Sequence, residues 1–399
     1  MRVAIVSDFF PDFIGGAQTS MREQQLALAQ AGHTVRTVSP VRARGSRFRR
    51  DEHSLLVRPR LVMPGVELPV IRNTTVVRST LAQYFRDEQI DVIHIQSEFG
   101  LSHAAIEAAA EIGLPVVHTI HTFYWTSDDN WHAFLAPLGR WLLTRVIGRS
   151  IERRQLAAKP IDSVLRNLTL TTAMRADAVV SPSAHQARDL EDAGVRAPVH
   201  IIRNPMVTSG TPSTPLTEEH ARTPRFLWAA RCDLVKRPLV FAQGAIEALE
   251  RTRDGFSVDF VGTGGQLGAL RRLAAKHPQL RVHGAIPRER LLELLDDSAA
   301  IVLSSLGFDN QPMTVVEAIS RQRGVLYCDD NLTEGLTNAG YLTPRPDAGG
   351  FADALVALVN DPELLVRLSA GAAAEQEEFS GEAYVRRILR VYEAAAALR

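Results

Sequence analysis

Short apolar runs recur along this chain, each leading into a loop and then into an amphipathic stretch. The run RVAIVS (2–7) is apolar through its middle, as a strand buried on both faces requires. A loop, DFFPDFIGGAQT, follows it. Ser20 with Glu23 three residues on reads as a capping box that opens a helix running to Ala31 and stopping at Gly32, and HTVRTVSP is the next strand. Two parallel strands need a crossover helix between them, so this is a βαβ unit. The alternation continues through IDVIHI (90–95), a helix at 100–113, LPVVHTIH (114–121), a helix at 162–176, DAVVSPS (177–183) and VHIIRN (199–204).

The stretch 205–224, rich in Pro, Ser and Thr without periodicity, is a linker. A second series begins at 225, with strands at 225–231, 256–264, 280–286, 299–305 and 323–330 and helices between them. The predicted architecture is α/β: two Rossmann-like, doubly wound domains, 1–204 and 225–380, facing a central cleft where ligands of such sheets bind. Residues 381–399 form a terminal helix expected to pack back on the first domain.

Composition narrows the function classes. At 399 residues the chain exceeds one ordinary core. Lys plus Arg (45) balance Asp plus Glu (45), which argues against nucleic acid as a partner. The two cysteines, Cys232 and Cys328, lie far apart, so neither a disulfide framework nor a zinc site is indicated and a cytoplasmic protein is expected. No apolar run approaches a spanning length.

Candidate chemistry gathers in the second half. In SSLGFDNQPMTVVEAIS (304–320), Pro312 suits the first turn of a helix, where the leading N–H groups are free to hold an anion. Asp309 and Glu317 could each accept hydrogen bonds from a sugar diol; the plainer alternative is that Asp309 and Asn310 cap the helix while Glu317 is solvated. Just past a buried strand, AARCDLVKRP (229–238) sets Arg231 and Lys236 where two cations can neutralise a diphosphate. VGTGGQ (261–266) is a glycine-rich turn, with Gly262 and Gly264 permitting close backbone approach, either to a ligand or simply within a tight turn.

Taken together these residues resemble the retaining GT-B glycosyltransferases of family 4, with Asp309 and Glu317 standing for the family's E(x7)E motif; the first half is similar through its GG loop, DVIHIQSEFG and VVHTIHTFYW. The nearest likeness is to diacylglycerol glucosyltransferases and phosphatidylinositol mannosyltransferases. The resemblance implies a nucleotide diphosphate sugar, UDP- or GDP-linked, as donor substrate. It assigns Arg231 and Lys236 to the diphosphate, Asp309 to the donor sugar and Glu317 to the ribose. Residues Asn310, Gln311, Pro312, Met313 and Thr314 would line the phosphate and sugar, Gly15 and Gly16 would approach the phosphates, His121 would reach the transferred sugar, and Gln18 would contact the acceptor. Two departures stand out: Asp309 replaces the usual glutamate, and ISRQRGV follows Glu317 where the family has a small residue, Gly and Pro, which alters the donor pocket.

Breaking the bond between sugar and diphosphate builds negative charge on the leaving oxygen, which fixed cations and amide dipoles stabilise. No DxD triplet occurs, so the reading is a metal-independent transferase needing no cofactor, with front-face attack as the family implies. For His94 and His118 a satisfied core position is the reading. The acceptor is expected to be a lipid or lipid-linked hydroxyl: the aromatic segment 123–134 precedes 138–159, where Arg140, Arg145, Arg149 and Arg153 recur among apolar residues, and RARGSRFRR (42–50) is also basic. Such stretches suit the anionic inner face of a cell membrane, making the protein peripheral; a surface helix packed on its own domain fits equally. The alternatives are a soluble acceptor (saccharide, metabolite or protein) and a non-catalytic nucleotide-sugar-binding module. A nicotinamide dehydrogenase lacks its GxGxxG.

Overall fold

The computed structural model describes residues 1–399 except 13–14, 43–44, 64–66, 127–134, 208–212 and 254. The chain divides into two compact units, Met1–Val207 with Gly381–Arg399, and Thr208–Ser380.

In the first unit the chain runs β1 (Arg2–Val6), α1 (Gly16–Gln30), β2 (Thr34–Pro40), β3 (Phe48–Arg50), β4 (Ser54–Val57), β5 (Leu61–Met63), β6 (Leu68–Val70), α2 (Thr75–Asp87), β7 (Val92–Ile95), α3 (Gly100–Ile112), β8 (Val116–Thr119), α4 (Ala136–Ile147), α5 (Pro160–Ala173), β9 (Ala178–Ser181), α6 (Ala184–Asp192) and β10 (Val199–Ile201). Eight strands form one sheet in the order β10-β9-β8-β7-β1-β2-β4-β3, parallel except for the β3–β4 pair. Strands buried on both faces need apolar residues at odd and even positions alike. In β1, Ala4 and Val6 join a core with residues of α2 and α3, while Val3 and Ile5 enter the opposite core with residues of α1 and of the chain's last helix.

The second unit contains α7 (Glu218–Arg222), β11 (Arg225–Ala229), α8 (Pro238–Thr252), β12 (Ser257–Val261), α9 (Leu267–Ala274), β13 (Leu280–Gly284), α10 (Arg288–Asp296), β14 (Ala300–Leu303), α11 (Met313–Ser320), β15 (Gly324–Tyr327), β16 (Gly340–Leu342), α12 (Ala348–Asn360) and α13 (Pro362–Glu375). Its six parallel strands lie in the order β13-β12-β11-β14-β15-β16. The order reverses direction between β11 and β14, so the loops leaving these two strands diverge and open a crevice at their carboxyl ends. The last helix, α14 (Gly381–Ala396), belongs to the first unit.

Both doubly wound halves are as expected, but three local readings are corrected. Helix α1 begins at Gly16, with Gly15 as its cap, so Ser20 and Glu23 are interior rather than a capping box. They are buried and used elsewhere: Ser20 Oγ donates to Asn204 Oδ1 at 2.6 Å, and Glu23 Oε2 accepts from the Val207 amide at 2.8 Å. Pro312 precedes α11 as its cap residue instead of opening its first turn. The stretch 138–159 is not one helix, because Gly148 turns left-handed (φ 73°) and ends α4.

Candidate active site

The second unit builds one half of the predicted chemistry at the switch between β11 and β14. Beyond β11 the chain stays paired to the loop after β12: the Ala230 amide donates to Val261 O, Cys232 N to Thr263 O at 2.8 Å, and Gln266 N to Cys232 O at 2.8 Å. This pairing dictates the glycines of VGTGG. A Cβ on Gly262 (φ 136°) would lie 1.8 Å from Ala230 O, and one on Gly264 (φ 153°) 2.5 Å from Cys232 O. Their demonstrable task is to let two loops run side by side, and the ligand role assigned to them is carried only indirectly.

The loop then turns at Asp233, whose carboxylate accepts from the Lys236 amide at 3.2 Å. The Lys236 ammonium forms an ion pair with Asp309 and sits 5.1 Å from the centre of the Phe308 ring. Asp309 is not a helix cap: it accepts from Lys236 and from Ser305 Oγ. Ser304 joins the ends of both strands, accepting from Trp228 Nε1 at 2.8 Å and donating to the Lys236 carbonyl at 2.6 Å. The neighbouring Arg237 is structural. Held at φ 52°, it donates to the carbonyls of Ser304 and Pro346.

Arg231 stands apart from that pair. Its side chain is 64% exposed and meets Asp233 at 3.2 Å. Glu317, far from solvated, is buried on α11 and pairs with Arg288 at 3.1 Å. Asn310, Gln311 and Met313 are buried, and Thr314 follows in the first turn of α11, where leading amides have no intrahelical acceptor. Asp329 anchors this loop by accepting from the Gly307 amide at 2.6 Å.

The first unit contributes His121, two residues past β8. Burial, with a smaller contribution from His118, lowers its pKa to about 3, so the imidazole is neutral. Its Nε2 lies 2.6 Å from Gln96 Oε1. An amide oxygen only accepts, so Nε2 carries the proton and Nδ1 keeps its lone pair for a ligand hydroxyl. Gln96 is oriented in turn: its amide donates to Gln24 Oε1 at 2.9 Å and lies 3.2 Å from His94 Nε2. Tyr384 Oη donates to the same Gln24 oxygen at 2.9 Å, and Tyr392 Oη meets His94 Nδ1 at 2.7 Å.

Sequence reasoning missed Gln96, Gln24, Tyr384 and Tyr392. The signal available was two tyrosines eight positions apart on the apolar face of an amphipathic terminal helix. His94 is a satisfied core residue, with Thr119 Oγ1 at 2.7 Å as its second partner. His118 is buried but not satisfied. Neither ring nitrogen has a hydrogen-bond partner, and Glu98 lies 3.7 Å away.

Gly15 and Gly16 form the start of α1 at the carboxyl end of β1, where Gly15 O accepts from Thr19 N at 3.0 Å and Gln18 is buried in the first turn. Beside them Asp8 is buried and accepts from the amides of Phe99, Leu101 and Ser102. It thereby fixes the loop that carries Gln96. Burial raises the Asp8 pKa despite these donors.

Among the described residues no group of three or more His, Cys, Asp or Glu is arranged to hold a metal ion, and no helix is long and apolar enough to cross a membrane. Of the basic and aromatic stretches linked to the acceptor by sequence, residues 43–44 and 127–134 lie outside the described residues.

Comparison with known proteins matches residues 14–209 to Glycosyltransferase Family 4 and residues 223–361 to Glycosyl transferases group 1. Phosphatidyl-myo-inositol mannosyltransferase of Mycolicibacterium smegmatis is 22% identical over 98% of this chain and 94% of its own length. Alpha-monoglucosyldiacylglycerol synthase of Acholeplasma laidlawii is 29% identical, but the match spans only 31% of this chain and 30% of that enzyme. Among solved structures, sucrose-phosphate synthase of Thermosynechococcus elongatus superposes with a TM-score of 0.69 at 16% identity, covering 100% of both chains. Anabaena HepE in complex with UDP gives 0.67 at 14% identity, covering 99% of this chain and 100% of that one. Both show the shared GT-B fold.

Proposed function

Because this chain belongs to the family 4 glycosyltransferases and is a hexosyltransferase, we propose that it moves a hexose from a UDP- or GDP-sugar to a hydroxyl of a lipid or lipid-linked acceptor, with retention at the anomeric carbon and without a metal. The observation that carries the donor half is the Lys236–Asp309 pair beside the leading amides of α11, at the switch point of the second sheet. Lys236 and those amides are fixed positive groups for the leaving diphosphate, which is the charge a divalent ion would otherwise supply. Arg231, exposed on its loop, is free to swing from Asp233 to the same phosphates. Asp309 takes a sugar hydroxyl once the diphosphate draws Lys236 away, and Glu317 takes the ribose.

In the first unit the neutral His121 presents Nδ1 as an acceptor for a sugar hydroxyl; with its pKa near 3 it positions the sugar and does not serve as a base at neutral pH. The acceptor's proton passes to the departing phosphate. The lipid acceptor is supported by the names of the relatives, a phosphatidylinositol mannosyltransferase and a glucosyldiacylglycerol synthase, and by the apolar, basic surface of α4.

The test is transfer of radiolabelled hexose from a panel of UDP- and GDP-sugars to detergent-dispersed lipids and to soluble saccharides, with Lys236→Ala in parallel. Lipid labelling that the variant abolishes is the expected result. Labelling of soluble saccharides alone would move the acceptor to the soluble class, and tight donor binding without turnover would make the protein a non-catalytic binding module.

A further inference from the structure

The basic stretch after α4 does not present one charged face. Arg149 turns to Glu107 on α3 at 3.8 Å, and the Arg145 guanidinium lies over the Trp141 ring, 5.1 Å from its centre. Past Gly148 the chain folds back beneath α4, and Arg140 reaches down to it, donating to the carbonyls of Ile151 at 3.1 Å and Glu152 at 2.6 Å. The result is an open groove of about 820 Å³, walled by α4, by residues 150–158 and by the start of α5.

Its lining is of two kinds. Ala136, Pro137, Trp141, Ile151 and Val164 give apolar walls, whereas Arg140, Arg153 and Arg154 bring three cations. Among the described residues no acidic side chain lines it. The Arg154 guanidinium lies beside Gly194 and Arg140 gives its Nη1 to the two carbonyls, so Arg153 and the other N–H groups of Arg140 are the cationic donors of the lining. Outside the rim, α4 exposes Leu138, Trp141 and Leu142, each about half accessible, while Leu143 and Ile147 on its other side pack into the unit. An exposed apolar ridge with a cationic recess directly behind it complements a molecule with an acidic head and an apolar tail.

We propose that this groove seats the phosphate headgroup of an anionic membrane lipid, with Arg140 and Arg153 as its charge partners and Trp141 and Leu138 against the acyl region. The inference deepens the lipid-directed reading of the protein and rests on it. It differs from attraction of a basic surface to a charged leaflet, since it requires an open recess as well as charge.

The experiment is co-sedimentation of the full-length protein with phosphatidylcholine vesicles, with and without phosphatidylglycerol. Four proteins are compared: wild type, Arg153→Gln, the groove-filling Ala157→Trp, and Arg222→Gln, which removes the same charge from an exposed position on α7 of the second unit. Wild type should partition onto the anionic vesicles preferentially. Arg153→Gln and Ala157→Trp should each weaken that partition by about fivefold or more, the scale of one basic contact at a charged surface, with Arg222→Gln close to wild type. Equal weakening by Arg153→Gln and Arg222→Gln, full binding by Ala157→Trp, or no preference for anionic vesicles in wild type would each overturn the groove. Transfer to a detergent-dispersed lipid reads the functional proposal separately: activity there with no vesicle preference sinks the groove alone, and groove-dependent binding with no lipid transfer sinks the acceptor alone. Circular dichroism of both groove variants confirms that they fold.

Discussion

Asp309 pairs with the Lys236 ammonium, the group that the proposed function assigns to the donor diphosphate. Asp309→Asn should therefore bind free nucleoside diphosphate more tightly while transferring sugar more slowly. The pair is well withdrawn from water, with side-chain exposures of 20% for Lys236 and 9% for Asp309, so its electrostatics are not erased by solvent. A carboxylate held roughly 5 Å from a bound phosphate repels it by about 3 kcal/mol at an effective dielectric of about 20. Relaxation and ions halve this, which leaves roughly 1–2 kcal/mol, or about five- to thirtyfold in affinity. The intact donor gains the same relief but loses a charge-assisted hydrogen bond to its sugar, worth about 1.5–3 kcal/mol, so its affinity should change little and its transfer should slow by roughly tenfold to a hundredfold. Isothermal titration with UDP and GDP, beside steady-state transfer rates, measures both. Unchanged or weaker diphosphate binding by Asp309→Asn would show that the carboxylate is not competing for Lys236, and the assignment of that ion pair to the donor would fall.

Other consequences can be checked on folding. Tyr392→Phe leaves the buried His94 Nδ1 without its 2.7 Å partner, so unfolding in urea should show a loss of about 1–3 kcal/mol; an unchanged stability would mean the network is slack. Burial, then nearby Arg175, His118 and Arg149, lowers the His103 pKa from 6.5 to about 3. Below pH 6.5 the unfolded chain takes a proton that the folded protein refuses until about pH 3, so this group costs stability as pH falls through that window. His103→Gln, which keeps a donor for Thr172, should therefore lose less than wild type between pH 7 and pH 5, by about 2 kcal/mol in paired urea titrations, and parallel pH profiles would contradict this. Gly262→Ala forces a methyl group to within 1.8 Å of Ala230 O, so the loop carrying Arg231 and Lys236 must move; nucleotide binding and thermal midpoint should fall together, and a fall in neither would refute the packing argument.

Much of the fold is legible in the sequence because buried parallel strands need uninterrupted apolar residues, which AIVL at 300–303 and VVHT at 116–119 display. The strands passed over, β3 to β6 and β16, are three or four residues long and partly exposed, so they carry no such run. The Ser20 and Glu23 pair misled because two polar residues at capping spacing also suit a helix whose polar side is buried against the chain at 204–207. On the second unit, the motif spacing picked out two acidic positions, Glu317 buried and Asp309 partly buried, each paired with a cation, yet it could not say which cation each would meet. Lys236 reaches Asp309 across 73 positions because β11 and β14 are neighbours, and Arg288 reaches Glu317 because α10 begins beside α11.

His121 shows why a site residue can be visible when the groups that determine its chemistry are not. Its position after a buried strand is a local property, readable from VVHTIH. Which nitrogen holds the proton depends on Gln96, and the Gln96 amide is oriented by Gln24 from the second element of the chain and, through His94, by Tyr392 from the last. A reversed Gln96 amide would offer His121 a donor, move the imidazole proton to Nδ1 and turn the ligand-facing nitrogen from acceptor to donor. It would also set two amide oxygens against each other at Gln24 unless that side chain reversed too, which Ser20 Oγ resists by accepting from Gln24 Nε2 and Tyr384 Oη by donating to Gln24 Oε1. The tautomer of His121 is thus set by a chain of one-way hydrogen bonds that closes only when α14 has docked and brought Tyr384 and Tyr392 to Gln24 and His94.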